Sequence, residues 1–72
     1  MTQLTTEQYD RLERAVVHKQ RIVVYRRGTE YIVVPLGLEN RNGREVIAAR
    51  NPTTGDVLSL FIDEVEAIEV VG

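Results

Sequence analysis

The segment RIVVYRRGTEYIVVPLGL, residues 21–38, is the most informative part of the sequence about the fold. It contains two apolar, β-branched and aromatic runs, residues 22–25 and 31–34, on either side of Gly28-Thr29. Two such runs predict a β-hairpin with a two-residue turn, in which glycine supplies the positive φ. A strand with one face in water should alternate apolar and polar residues, and these runs do not. We therefore expect both faces to need cover from a helix, a barrel interior or another chain.

Caps, turns and periodicity predict the other elements. Thr5 and Gln8 form a capping-box pattern, which predicts a helix over about residues 5–19. Pro35 has no backbone N–H and indicates a bend or an edge position, whereas Asn42-Gly43 is a strong hairpin signal. A single helical turn is expected at residues 63–65. The predicted strands cover about residues 21–27, 30–38, 44–50, 56–62 and 67–71.

One helix followed by five short, bent antiparallel strands is typical of a small SH3-like or Sm-like barrel. We predict a single, mainly β domain over residues 1–72, with the helix covering one open end of the barrel. Barrel curvature would cover part of both faces of the hairpin. If Ile22 and Val24 point inward, an apolar strip forms on the outer face of the hairpin. It contains Tyr25 and the predicted interface residues, which are Val23, Tyr31 and Val33.

Composition excludes several classes of protein. The chain has no cysteine and one histidine, which excludes disulfides and thiolate metal sites and makes a metal cluster unexpected. A core from only 72 residues is small, so we expect a homo-oligomer. No apolar run approaches the ~20 residues of a membrane span, and residues 1–4 lack the features of a signal peptide. We expect a cytoplasmic protein with no membrane, metal or cofactor.

Charge is distributed unevenly along the chain. Residues 11–27 contain six basic residues and one acidic residue, whereas residues 56–72 contain five acidic residues and no basic ones. Such a chain can present a local basic patch despite a net charge of −2, and it can associate head to tail. The acids Asp63, Glu64 and Glu66 lack the spacing of a calcium loop. We expect them to form a solvated edge or to pair with a basic patch on another subunit.

Arginines near strand ends are the candidate ligand-binding residues. Guanidinium groups suit phosphate oxygens, and Tyr25 and Tyr31 could add a stacking surface. The alternative is that these arginines serve solubility and edge protection. His18 has no nucleophile or carboxylate partner in any catalytic pattern and is expected simply to end the helix, so no enzyme is predicted. The candidate arginines are Arg26, Arg27, Arg44 and Arg50, with Arg41 nearby in sequence.

Five short segments carry a resemblance to a known family. They are Tyr25 at the end of the first strand, Pro35-Leu36-Gly37-Leu38, Gly43-Arg44, Ala49, and LFIDEV at residues 60–65. Through these segments the chain resembles the WYL domain family, named for a Trp-Tyr-Leu tripeptide, over about residues 12–70. The resemblance implies an Sm-like barrel with the same order of a helix followed by strands.

Departures from the family pattern concern the ligand-binding positions. Glu45-Val46-Ile47 replaces the signature tripeptide, and Leu58, Phe61 and Glu64 stand at arginine positions. The resemblance implies a non-enzymatic regulatory module that senses a ligand, binding a nucleotide or short single-stranded nucleic acid through surface arginines. The departures favour an alternative, a protein–protein interaction module that kept the fold and lost the ligand site. A small phage-encoded or operon-encoded regulator would suit either function.

Overall fold

The computed structural model describes residues 4–71 and is mainly β, with one helix and five antiparallel strands. Residues 1–3, which carry part of the signal-peptide argument, and residue 72 lie outside the described residues. The elements are α1 (Thr6–His18), β1 (Ile22–Arg26), β2 (Thr29–Arg41), β3 (Arg44–Arg50), β4 (Val57–Phe61), the 3₁₀ turn η1 (Ile62–Glu64) and β5 (Ala67–Val70).

The predicted capping box begins α1. The Thr5 side chain accepts a hydrogen bond from the Gln8 backbone N–H at 3.1 Å, and the Gln8 side chain accepts one from the Thr5 N–H. The helix ends at His18, and the C-cap residue Lys19 adopts a left-handed conformation with φ 54°. Leu12 is among the residues that α1 buries. No helix within residues 4–71 is long and apolar enough to cross a membrane.

The five strands form one sheet in the order β4-β3-β2-β1-β5. The sheet is not closed, and β4 and β5 are its two edges. Strand β2 pairs with β1 up to Val33 and with β3 from Val34 onward. A register shift between Pro35 and Gly37 follows this change of partner, as the proline predicted.

The length of β2 requires it to bend. A flat strand of 13 residues would span roughly 40 Å, whereas the longest dimension of the molecule is 29 Å. The bend lets one face of the sheet curve around the core together with α1. The core residues are Leu4, Leu12, Ala15, Ile22, Val24, Val33, Ile47, Ala49, Leu60, Ile62, Val65 and Ile68.

The hairpin turn and the register differ from the prediction. The two turn residues are Arg27 and Gly28, with φ values of 51° and 74°, rather than Gly28 and Thr29. Positive φ at both positions is the geometry of a type I′ turn, whose twist suits a hairpin. Moving the turn by one residue places Val33 opposite Ile22 and Tyr31 opposite Val24.

Compared with the predicted register, the observed one exchanges the inner and outer faces of the second hairpin strand. Val33 is 2% exposed and lies in the core, and Tyr31 packs against it, so their predicted place in an outer strip is wrong. Val23 does lie on the outer face, and its neighbour there is Ile32. Ile32 is 54% exposed.

Exchanging one residue on each face tests the register. Val33→Asp should unfold the protein, because an unpaired buried carboxylate costs several kcal/mol, comparable to the whole stability of a domain this small. Ile32→Asp should remain folded, since its side chain is 54% exposed on the single chain and lies outside the core. Circular dichroism and urea denaturation of the two variants would show this difference; a folded Val33→Asp together with an unfolded Ile32→Asp would contradict the register.

Candidate functional site

The β1–β2 turn is held against the segment that follows η1. The Glu66 N–H donates to the Tyr25 carbonyl at 2.7 Å, and the Gly28 N–H donates to the Glu66 carboxylate at 3.3 Å. Buried Ile62 and Val65 anchor η1 on the core. The acidic turn η1 is therefore fixed beside Arg26 and Arg27, although nearly forty residues separate them in sequence.

Three arginines surround the carboxylate of Glu64. Its oxygens lie 3.6 Å from Arg26 Nη1, 3.6 Å from Arg27 Nη2 and 3.5 Å from Arg44 Nη2. We refer to Arg26, Arg27 and Arg44 as the arginine cluster. Arg44 begins β3 and reaches the same carboxylate from the far end of β2, so the cluster depends on the bend in that strand.

Arg44 is the most firmly held member of the cluster. Its Nε and Nη2 donate to the two carboxylate oxygens of Asp63 at 2.8 and 2.7 Å, a bidentate pair. Its guanidinium carbon lies 3.8 Å from the centroid of the Phe61 ring. The hydrogen bonds from Arg44 hold the pKa of Asp63 below its usual value, and the same bonds raise the pKa of Arg44.

Arg26 rests on an aromatic side chain as well. Its guanidinium carbon lies 4.8 Å from the centroid of the Tyr31 ring, and its Nη2 donates to the Tyr31 hydroxyl at 2.9 Å. Tyr31 in turn packs on the core. The core and the aromatic rings thus position two of the three guanidinium groups.

Glu64 does not use all the hydrogen-bonding capacity of the arginine cluster. Its distances of 3.5–3.6 Å exceed those of a good charge-assisted hydrogen bond. The Arg27 side chain is 78% exposed. With Asp63 and Glu64, the cluster combines three positive charges and two negative ones. An anion with several oxygens, such as phosphate, could accept hydrogen bonds here, in competition with Glu64.

Two predicted ligand-binding residues lie elsewhere. Tyr25 is on the outer face opposite Glu30 and Ala67, and its pKa is raised by burial and then by the carboxylates of Glu69 and Glu30. These acidic surroundings disfavour an anion. Arg50 ends β3, roughly 20 Å along the strand from Arg44. The structure brings together Arg26, Arg27 and Arg44. It places Tyr25 and Arg50 away from them.

The parts that Phe61, Asp63 and Glu64 play beside the arginines were not predicted from the sequence. The acids were expected to form a solvated edge or to meet a basic patch on another subunit, but both pair with arginines of the same chain. Their position in a short helical turn was predicted. Nothing in the local sequence pattern relates that turn to Arg26 or Arg44.

No protein-family model matches this chain, and a comparison with curated proteins finds no significant match. Within residues 4–71, no group of three or more histidine, aspartate or glutamate side chains is placed to hold a metal ion.

The Asp63–Arg44 pair predicts a pH dependence of stability. Because the pKa of Asp63 is lower in the folded state, its contribution is present above the unfolded-state pKa of about 3.9 and is lost as pH falls through the lower folded-state value. Asp63→Asn should therefore flatten the loss of stability in this acidic range, measured by urea denaturation as a function of pH.

Asp56→Asn is the matched control, because Asp56 is exposed and forms no ion pair with any residue of 4–71. It should keep the wild-type profile. Identical acid profiles for wild type and Asp63→Asn would show that this pair does not stabilise the folded chain.

Proposed function

We propose that this chain is a non-enzymatic regulatory module that binds a nucleotide or a short single-stranded nucleic acid at the arginine cluster. The observation that carries the proposal is the convergence of three guanidinium groups, from two distant segments, on the single carboxylate of Glu64. A site that holds one anionic group in this way has the charge and the donors to hold a phosphate in its place.

Each arginine contributes differently to this proposed site. Arg44 is pre-organised by Asp63 and Phe61, so little side-chain entropy is lost when it meets a ligand. Phe61 covers one face of its guanidinium plane, and a nucleic-acid base can stack on the other. Arg27 is exposed and supplies the most accessible donors for a phosphate.

We also propose that the fold is a WYL-like variant of the SH3-like or Sm-like small barrel, in a cytoplasmic protein. Supporting features are the order of one helix followed by five antiparallel strands, the bend in β2 and the WYL-like segments at residues 35–38 and 60–65.

A protein–protein interaction module is the second candidate. The bidentate Asp63–Arg44 pair favours it, because a carboxylate already occupies the best-oriented donors of the cluster. Under this alternative the ion pairs have a structural role and join η1 to the two hairpins.

Binding of a fluorescent, 5′-phosphorylated single-stranded oligonucleotide distinguishes these functions. The proposal predicts saturable binding at low salt that weakens as salt rises. Arg27→Ala should weaken it roughly tenfold and reduce the slope of log affinity against log salt by about one, because one phosphate contact is lost. The measurement is fluorescence anisotropy across a salt series.

Arg14→Ala is the control, since Arg14 is exposed on α1 and forms no ion pair with any residue that the structure describes. It should bind like wild type. If wild type shows no saturable binding to the oligonucleotide or to free nucleotides, nucleic-acid recognition is rejected and the interaction module stands. Equal losses in Arg14→Ala and Arg27→Ala would reject the assigned site.

A further inference from the structure

The outer face of the sheet carries an apolar strip. Opposite residues of antiparallel strands share a face, which places Val23 beside Ile32, Val34 beside Arg50, and Arg50 beside Val57. Ile32 and Val34 are two residues apart on β2 and therefore share this face. Ile32 is 54% exposed and Val57 is 64% exposed. We call Val23, Ile32, Val34 and Val57 the outer strip.

Charged side chains of opposite sign lie on the face of the outer strip, and Arg50 stands between Val34 and Val57. Glu30 and Glu69 lie on this face near Tyr25. Arg21 and Glu30 line a groove of ≈ 500 Å³ with Ile32 and the turn at residues 51–54. None of these four charged side chains forms an ion pair within residues 4–71. Apart from the hydrogen bond between Glu69 and Tyr25, these charges are free to pair with another molecule.

We propose that the outer strip is the interface of a symmetric homodimer. A two-fold axis near Ile32 places the strip of one copy on the strip of the other and turns the basic end of each toward the acidic end of its partner. Arg21 of one copy then faces Glu30 of the second, and the same pair forms twice. One patch that carries an apolar centre and both charge signs is complementary to itself.

The size of the chain supports a second copy as the partner of the outer strip. With 72 residues and no cysteine, the protein has a small core and no disulfide to stabilise it. Burying the outer strip adds apolar contact on the face that α1 leaves uncovered. The interface is separate from the arginine cluster, so this inference does not depend on the proposed ligand.

Sedimentation equilibrium of the full chain tests the proposal. Wild type should be dimeric, and Ile32→Asp should raise the dimer dissociation constant by at least roughly tenfold while the protein stays folded. Val17→Asp is the matched control, since Val17 is 73% exposed on α1 and lies outside the outer strip. It should dimerise like wild type. If circular dichroism shows that Ile32→Asp is unfolded, Val57→Asp takes its place.

A charge exchange tests the two-fold arrangement. Arg21→Glu and Glu30→Arg should each weaken the dimer, because each places like charges across the interface, and the double variant should restore it. A monomeric wild type at millimolar concentration overturns the proposal. The proposal is also overturned if the folded Ile32→Asp or Val57→Asp variant dimerises as well as wild type. It is overturned, too, if the Arg21→Glu/Glu30→Arg double variant does not restore the dimer.

Discussion

One strand, β2, pairs with two different partners in succession, and this pairing positions the arginine cluster. Strand β2 contacts β1 up to Val33 and β3 from Val34, and its 13 residues lie in a molecule only 29 Å long. Pro35 cannot donate to a ladder, and a register shift of the kind that bends a strand follows it. Without this bend, Arg26 and Arg44 would lie at opposite ends of an extended strand. With it, both reach the carboxylate of Glu64.

Local signals predicted the elements of the fold well. The Thr5 capping box, the Asn42-Gly43 turn and the helical turn near residue 63 all depend on neighbours a few residues apart. The hairpin register was not predictable in the same way, because either Gly28-Thr29 or Arg27-Gly28 can form a two-residue turn. A shift of one residue exchanges the faces, and it moved Val33 from the expected surface into the core.

The candidate site was predictable only as a set of residue types. Arginines beside turns indicated anion binding, and three of the four lie together in the structure. Tertiary geometry decides which three arginines meet. The bend in β2 and the buried anchors of η1 bring Arg44 and Glu64 to the β1–β2 turn. Arg50, equally basic and on the same strand as Arg44, lies at the other end of it.

The central claim is that the bent sheet assembles Arg26, Arg27 and Arg44 into one anion-binding site. Its most direct test is an NMR titration of the full chain with a 5′-phosphorylated single-stranded oligonucleotide, following the arginine side-chain Nε–Hε signals. If the oligonucleotide binds at the arginine cluster, these three signals and the Gly28 amide signal will shift together along one binding curve, while the Arg14 signal stays unchanged. Shifts confined to other arginines, or no shifts at low salt, would contradict it.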